Sequence, residues 1–254
     1  MRSSWLIVVR HLWVLRARRP WMLIAHGVFE PFLYLVSFGL GIGQLIGALP
    51  GPAGDVRYAA FVAPALLASS AMNNAVAETT GEVWFRLRFQ RIYEAIVTTP
   101  MAPGQIARGE AMAAVLRSTL SAVCFLVVIL ALGLIRSWWA LLAIPAVVLI
   151  AFGFAGAGLA VATYLRQFHH HQYVQLVMLP MFLFATTFYP LSVYPEPIRV
   201  LVAALPLYQS TELIRGLTLG TPGPGVLFAA GYLLLMGLIG GVVASRRFDA
   251  LLLR

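Results

Sequence analysis

Six apolar stretches, each long enough to cross a lipid bilayer as a helix, dominate this chain of 254 residues. They lie at about residues 21–46, 59–81, 105–135, 140–165, 172–191 and 224–245. Hydrophobic residues make up 61% of the chain and charged residues only 11%, whereas soluble domains carry about 25% charged residues. The sequence therefore predicts an all-α integral membrane protein with six transmembrane helices.

The positions of the arginines predict how the protein is oriented. The chain has 18 Lys and Arg residues in total, and every one of them is arginine. If the N-terminus is cytoplasmic, thirteen arginines fall in cytoplasmic segments, four fall in external segments, and Arg117 lies within a span. Because cytoplasmic loops carry an excess of positive charge, both termini are expected in the cytoplasm.

Missing residue types argue against several chemistries. Without lysine the chain lacks a phosphate-binding loop of the P-loop type, so it is not expected to hydrolyse ATP itself. Cys124 is the single cysteine, and the adjacent histidines 169–171 point in different directions on a helix. We expect no catalytic residues, no metal site and no cofactor in this chain.

Three segments depart from simple spans. Residues 1–20 place Trp5, Val9 and Trp13 at helical spacing opposite His11, which predicts an amphipathic interfacial helix before a six-span domain at 21–254. The internal loop at 82–104 predicts a short surface helix at about 86–98. The prolines between residues 190 and 220 predict a re-entrant helical hairpin at about 192–217 that enters from outside.

Polar groups inside the spans are the candidate pathway residues. Glu30 and Arg117 are expected at similar depth, where they either neutralise each other or face a translocation pathway. Asn73 and Asn74 make the second span polar, so this span is expected to face the pathway or a dimer interface, or to form hydrogen bonds between helices. Glu78 belongs to the same polar stretch, with pairing to an interfacial arginine as its alternative role.

The segment FVAPALLASSAMNNAVAETTGEVWFRLRFQRIYEAIVTTPMAPGQIARGE, residues 61–110, resembles the signature region of ABC-2 type exporter permeases. The resemblance is strongest to the nodulation protein J and daunorubicin-resistance permease group. Residues 30–34, EPFLY, and the pairs Tyr194-Pro195 and Arg215-Gly216 support it and extend it over most of the chain.

This resemblance implies a permease subunit of the bacterial inner membrane that pairs with an identical or homologous second permease. Two copies of a separate ATPase subunit would bind ATP and Mg and drive export of an amphiphilic cargo, such as a lipid-linked saccharide, a glycolipid or a hydrophobic drug. Contact with the ATPase is expected at Arg88, Phe89, Gln90, Arg91, Tyr93 and Glu94. A solvated surface loop is the alternative for these residues, and an ion-gradient-driven secondary transporter is the alternative for the whole chain. No nucleic acid partner is expected.

Overall fold

A computed structural model describes residues 2–17, 20–49, 55–135 and 137–253. Nearly all of these residues are helical. The helices are α1 (Arg2–Ala17), α2 (Pro20–Val36), α3 (Gly43–Ile46), α4 (Tyr58–Val76), α5 (Ile92–Val97), α6 (Pro103–Ala131), α7 (Ala143–Tyr164), α8 (His171–Phe184), α9 (Glu196–Ala203), α10 (Pro206–Thr218) and α11 (Pro224–Leu252). Strands β1 (Ala48–Leu49) and β2 (Val56–Arg57) form a short antiparallel pair. Wider π-helical turns follow α2 at Ser37–Ile42 and α4 at Ala77–Glu82 and Phe85–Phe89, and single 3-10 turns occur at Trp138–Leu142, Phe168–His170 and Leu191–Val193.

Long helices run back and forth between two ends of the molecule. At the arginine-rich end, which holds α1 and α5, the indole of Trp84 donates to the Leu165 carbonyl at 2.9 Å and Thr80 meets His171 at 3.3 Å. At the opposite end, Arg57 donates to the Gly133 carbonyl at 3.2 Å. The predicted alternation of direction is therefore present in the fold.

Five described helical segments are long and apolar enough to cross a membrane, which supports an integral membrane protein. They are Val28–Ile46, Tyr58–Phe89, Pro103–Ala131, Trp138–Tyr164 and Pro224–Leu252. The predicted span at 172–191 differs, because α8 ends at Phe184 and Thr186 adopts a left-handed conformation with φ 58°. With 14 residues α8 is about 21 Å long, shorter than the roughly 30 Å hydrocarbon core.

Residues 192–217 form two helices, α9 and α10, in the region where a hairpin was predicted. Pro206 occupies the first turn of α10, where its missing N–H costs no helical hydrogen bond. Helix α10 packs against α4 and α11 and buries Gln209, Ser210 and Thr211. The polar second half of the hairpin therefore lies within protein.

Helices α7 and α11 form the most extensive helix pair, and glycines allow their close approach. A Cβ added at Gly156 would lie 2.5 Å from the carbonyl oxygen of Gly237, and one added at Gly240 would lie 2.6 Å from the backbone nitrogen of Ala157. Neither Cβ fits without displacing backbone. Small residues at both faces therefore set the distance between these helices.

A second, smaller hydrophobic core lies at the arginine-rich end, apart from the main core around α4. It joins α1, the end of the second span, α5, α6, α7 and α11. Its buried members are Ile7, Val83, Leu87, Tyr93, Ile106, Ala107, Leu159, Ala244 and Phe248. The non-spanning helices α1 and α5 are thus packed against the ends of the long helices.

The side of α1 that faces the protein is the side that the sequence pattern assigned to the polar surface of this helix. Ile7, Val8 and His11 are buried, whereas Trp5 and Trp13 are exposed. Exposed tryptophans suit the headgroup level of a membrane. His11 instead turns toward α6, while residues 1, 18 and 19 of the predicted interfacial helix lie outside the described residues.

Candidate functional site

The candidate coupling segment is the turn between the second and third long helices. Helical structure continues from α4 through the π-helical turns to Phe89, and Arg91 then adopts a left-handed conformation with φ 50°. The six-residue helix α5 follows and ends before Pro100. The predicted single helix at 86–98 is therefore wrong, because a left-handed residue breaks it at Arg91.

Five of the six predicted coupling residues form an exposed surface, which we call the coupling surface. They are Arg88, Phe89, Gln90, Arg91 and Glu94. Phe89 is 73% exposed and stacks on Phe85 at a ring-centroid distance of 4.8 Å. Arg91 and Glu94 approach only to 3.9 Å and are both exposed, so this ion pair contributes little to folding. An exposed aromatic ring beside arginine has the composition of a protein interface.

Tyr93 does not belong to this surface, so its prediction as a contact residue is wrong. Its side chain is fully buried, with its ring 5.7 Å from that of Phe248. Burial raises the pKa of the Tyr93 phenol well above its usual value, and the Glu110 carboxylate raises it further. The buried hydroxyl lies beside the charged groups of Arg86 and Glu110. Tyr93 therefore anchors α5 from within as a neutral group.

Directly beneath α5 lies a group of ionised side chains that we call the ionic cluster. Its members are Arg10, His11, Glu78, Glu82, Arg86, Glu110 and Arg117. Three arginines face three glutamates, so the charges balance with His11 neutral. The cluster joins α1, the end of the second span and α6.

Glu110 is the centre of the ionic cluster, with only 1% of its side chain exposed. Its carboxylate accepts hydrogen bonds from Arg86 at 2.7 Å, from His11 at 3.0 Å and from Arg10 at 3.4 Å. Arg86 also donates to Glu82 at 3.1 Å. A buried carboxylate is tolerated here because two arginines and an imidazole N–H donate to it.

Arg117 pairs with Glu78 at 2.5 Å, and its second terminal nitrogen contacts the Nδ1 atom of His11. An arginine has only donors, so His11 accepts through Nδ1 and donates through Nε2 to Glu110. The predicted pair between Glu30 and Arg117 is therefore wrong. Similar depth did not bring them together, because Arg117 points toward α4 while Glu30 lines a cavity elsewhere on the bundle.

A cavity of about 320 Å³ lies between α2, α4 and α8. Its polar wall contains three predicted pathway residues, Glu30, Asn73 and Asn74. The whole polar set is Glu30, Ser69, Ser70, Asn73, Asn74 and Gln175. Asn74 donates to the Ser70 hydroxyl at 3.4 Å. Glu78 is not among the lining residues and belongs to the ionic cluster.

The remaining residues that line the cavity are aromatic and aliphatic. Tyr34, Phe38, Phe182 and Phe188 form a closed circle of four rings. Tyr58 donates to the Phe188 carbonyl at 3.1 Å and so holds the chain at this corner. Polar and aromatic side chains line the same cavity, a combination that suits an amphiphilic molecule.

Arg215 connects α10 to the bundle. Its guanidinium donates to Glu212, three residues before it on α10, at 3.0 Å. Sequence spacing did not indicate the other contacts: the guanidinium lies 4.0 Å from the centre of the Phe61 ring and donates to the Thr186 carbonyl at 2.9 Å. Arg215 is buried and holds α10 against α4 and the end of α8.

Sequence reasoning missed His11 and Arg10 as members of a charged site. The sequence offered one indication of such a site: two adjacent ionisable residues lie on a helix whose tryptophans are on another face. Glu110 and Arg86 lie 24 residues apart in the sequence and are in contact at 2.7 Å. Only the folded structure brings the first helix to them.

A family model described as ABC-2 type transporter matches residues 3–219, which include α1, the coupling segment and the hairpin. The chain belongs to the ABC-2 type transporter family. The family match confirms the predicted resemblance and supports a membrane subunit of an ABC exporter. Such a subunit works in a transport complex with an ABC ATPase and is generally not an enzyme itself.

Curated relatives carry the name Nodulation protein J. The protein from Rhizobium leguminosarum bv. viciae is 31% identical over 232 residues, covering 91% of this chain and 88% of the relative. That from Rhizobium leguminosarum bv. trifolii is 30% identical over 221 residues, covering 86% and 82%. The Rhizobium meliloti protein is 29% identical over 221 residues, again covering 86% and 82%. Similarity therefore extends across both the spans and the coupling segment.

Proposed function

We propose that this ABC-2 family member is the permease of an ATP-driven exporter that moves an amphiphilic cargo out of the cytoplasm or inner leaflet of a bacterial inner membrane. It works with a second permease subunit, identical or homologous, and with two copies of an ABC ATPase that bind ATP and Mg. The observation that carries the proposal is an exposed coupling surface whose base is tied to the spans by a buried ionic cluster.

In this proposal the arginine-rich end faces the cytoplasm and the chain crosses the membrane six times. Helix α8 makes the fifth crossing together with residues 185–189, and α9 and α10 form the re-entrant hairpin. Burial of the polar residues of α10 supports this arrangement, since non-helical or polar backbone at membrane depth must be enclosed by protein. Exposed Trp5 and Trp13 support an interfacial position for α1.

In this proposal the ATPase contacts the permease at Phe89 and Arg91, and this contact couples ATP hydrolysis to transport. Closure of the ATPases displaces the coupling surface, and α5 moves with it because Tyr93 is fixed in the smaller core. The ionic cluster then transfers the displacement, since Arg86 is bonded to α6 through Glu110 and to α1 through the same carboxylate. Buried charge pairs resist separation, so the ends of α1, α4 and α6 move as one body.

The cavity between α2, α4 and α8 is the proposed cargo site, with Glu30, Asn73 and Asn74 on its polar wall. A polar headgroup would contact this wall while hydrocarbon contacts the aromatic wall. Five of the polar side chains come from the two neighbouring helical segments Val28–Ile46 and Tyr58–Phe89. Motion of the second span at the coupling segment therefore changes the shape of the cavity.

The test is cargo transport and ATP hydrolysis in proteoliposomes that contain the permease and its cognate ABC ATPase. Arg91→Glu should abolish stimulation of the ATPase, because it reverses a charge on the coupling surface. Arg246→Glu is the matched control, an exposed arginine near the end of α11. The proposal fails if Arg91→Glu leaves coupled transport normal, or if the permease alone drives uptake on an ion gradient, as a secondary transporter would.

A further inference from the structure

We infer that the cavity between α2, α4 and α8 selects organic cations, with the Glu30 carboxylate and the circle of four aromatic rings as its recognition elements. This inference deepens the proposed function, on which it rests for the identity of the cavity as the cargo site. The ligand class is an amphiphile whose headgroup carries a permanent positive charge, such as a quaternary ammonium.

Glu30 is the only charged residue among the described side chains that line the cavity, so this part of the lining has a net negative charge. No ion pair of Glu30 occurs among the side chains that the structure describes, which in α2 begin at Val28, whereas Glu78, Glu82 and Glu110 all have cationic partners. A carboxylate in a membrane span is costly unless a positive charge or water compensates it. The cavity therefore supplies a negative charge whose partner must come from outside these residues.

The aromatic circle adds a second feature that favours a cation. Ring centroids lie 4.5 Å apart for Phe38 and Phe188, 5.4 Å for Phe182 and Phe188, 6.0 Å for Tyr34 and Phe182, and 6.1 Å for Tyr34 and Phe38. Faces of aromatic rings attract cations, most of all where water is excluded. A carboxylate and several aromatic rings that line one cavity form a combination that binds alkylated ammonium groups.

Neutral saccharide headgroups are the competing class. Their hydroxyls would find partners in Asn73, Asn74 and Gln175, and their carbon faces would stack on the rings. However, a neutral ligand would leave the charge of Glu30 uncompensated inside the span. Binding free energy therefore favours a ligand that brings a positive charge.

The experiment measures binding to the permease alone in lipid nanodiscs, with rhodamine 6G anisotropy as the reporter of a bound organic cation. Dodecyltrimethylammonium and dodecyl glucoside compete, since they have the same hydrocarbon chain but a cationic and a neutral saccharide headgroup. We expect dodecyltrimethylammonium to compete at concentrations about tenfold lower.

Two variants separate charge from shape. Glu30→Gln should weaken rhodamine 6G binding about tenfold and leave the dodecyl glucoside affinity within about twofold, because it removes charge and keeps volume. Phe188→Leu should weaken cation binding roughly threefold through loss of one ring. The matched control is Glu196→Gln, an exposed carboxylate at the start of α9 outside the cavity, which should bind like the wild type.

Equal competition by the two dodecyl amphiphiles, or an unchanged rhodamine 6G affinity in a folded Glu30→Gln protein, would overturn the inference. ATP-driven transport without charge selectivity would overturn it while leaving the exporter proposal intact. Cation binding lost in Glu30→Gln, with no ATP-driven transport in the complex, would support the inference as a binding property and contradict the exporter proposal.

Discussion

Replacement of Glu110 by glutamine tests whether the ionic cluster holds the coupling segment, α1 and α6 together. The carboxylate is buried and accepts from two arginines and from His11, of which Arg86 at 2.7 Å is nearest. Loss of one partner from a buried charge pair costs about 3–5 kcal/mol. Glu82 still contacts Arg86, and Arg10 is 36% exposed and can be hydrated, so we expect a loss just below this range, about 2–3 kcal/mol.

Unfolding in mixed detergent micelles measures the free energy, and hydrogen exchange measures the local effect. Glu110→Gln should lower the unfolding free energy and increase exchange in α1, because Arg10 and His11 lose their shared acceptor. Glu94→Gln is the matched control, since its pair with Arg91 is exposed and long at 3.9 Å, and it should change stability by less than about 0.5 kcal/mol.

A double-mutant cycle of Glu110→Gln with Arg86→Gln separates their direct contact from general damage to the fold. The double variant should be more stable than the sum of the two single losses by about 1 kcal/mol or more, because it removes both charges of the pair. Additive losses, or unchanged exchange in α1 of Glu110→Gln, would refute the assignment of Glu110 as the centre of the cluster.

Two further variants test packing at other places in the fold. Gly240→Ala should destabilise the protein by about 1–3 kcal/mol in the same unfolding assay, because the added Cβ meets the α7 backbone. The adjacent Gly241→Ala is the control and should not destabilise it, because a Cβ there has no atom within 4 Å. Equal effects of the two variants would contradict the close α7–α11 contact. Arg215→Lys should lower the thermal stability in detergent and expose the α9–α10 pair to protease, since lysine cannot reproduce the forked contacts and ring stacking of arginine. The control Arg246→Lys should leave both properties unchanged. Wild-type protease resistance in Arg215→Lys would argue against Arg215 as the residue that holds this helix pair.

The long helices could be predicted from the sequence because membrane insertion demands long apolar runs. Residues 105–135 and 224–245 correspond closely to α6 and α11 for this reason. The α9–α10 pair could also be anticipated, since prolines cannot continue a helix and mark the breaks within residues 190–220. Hydropathy did not indicate that α8 ends at Phe184, because residues 185–189 contain no charge and no proline that would mark an end.

Features that depend on how helices face one another could not be predicted. Counting residues gave Glu30 and Arg117 similar depths, but it gives no information on which neighbour each helix face contacts. Arg117 instead reaches Glu78 in the π-helical turn that follows α4, and Glu30 lines the cavity. The break at Arg91 could not be predicted for a related reason. Arginine rarely adopts a left-handed conformation, so its position in the sequence does not indicate a break. In the structure this conformation accompanies the packing of α5 through Tyr93.

The position of the coupling surface against the ATPase can be measured directly by photocrosslinking. Cys124, the single cysteine, is first replaced by alanine, and a benzophenone maleimide is attached at Phe89→Cys. Trp138→Cys is the control, since Trp138 is 90% exposed but lies at the opposite end. The proposal predicts a crosslinked permease–ATPase product for Phe89→Cys and none for Trp138→Cys. A product at residue 138, or none at residue 89 in an active complex, would contradict it.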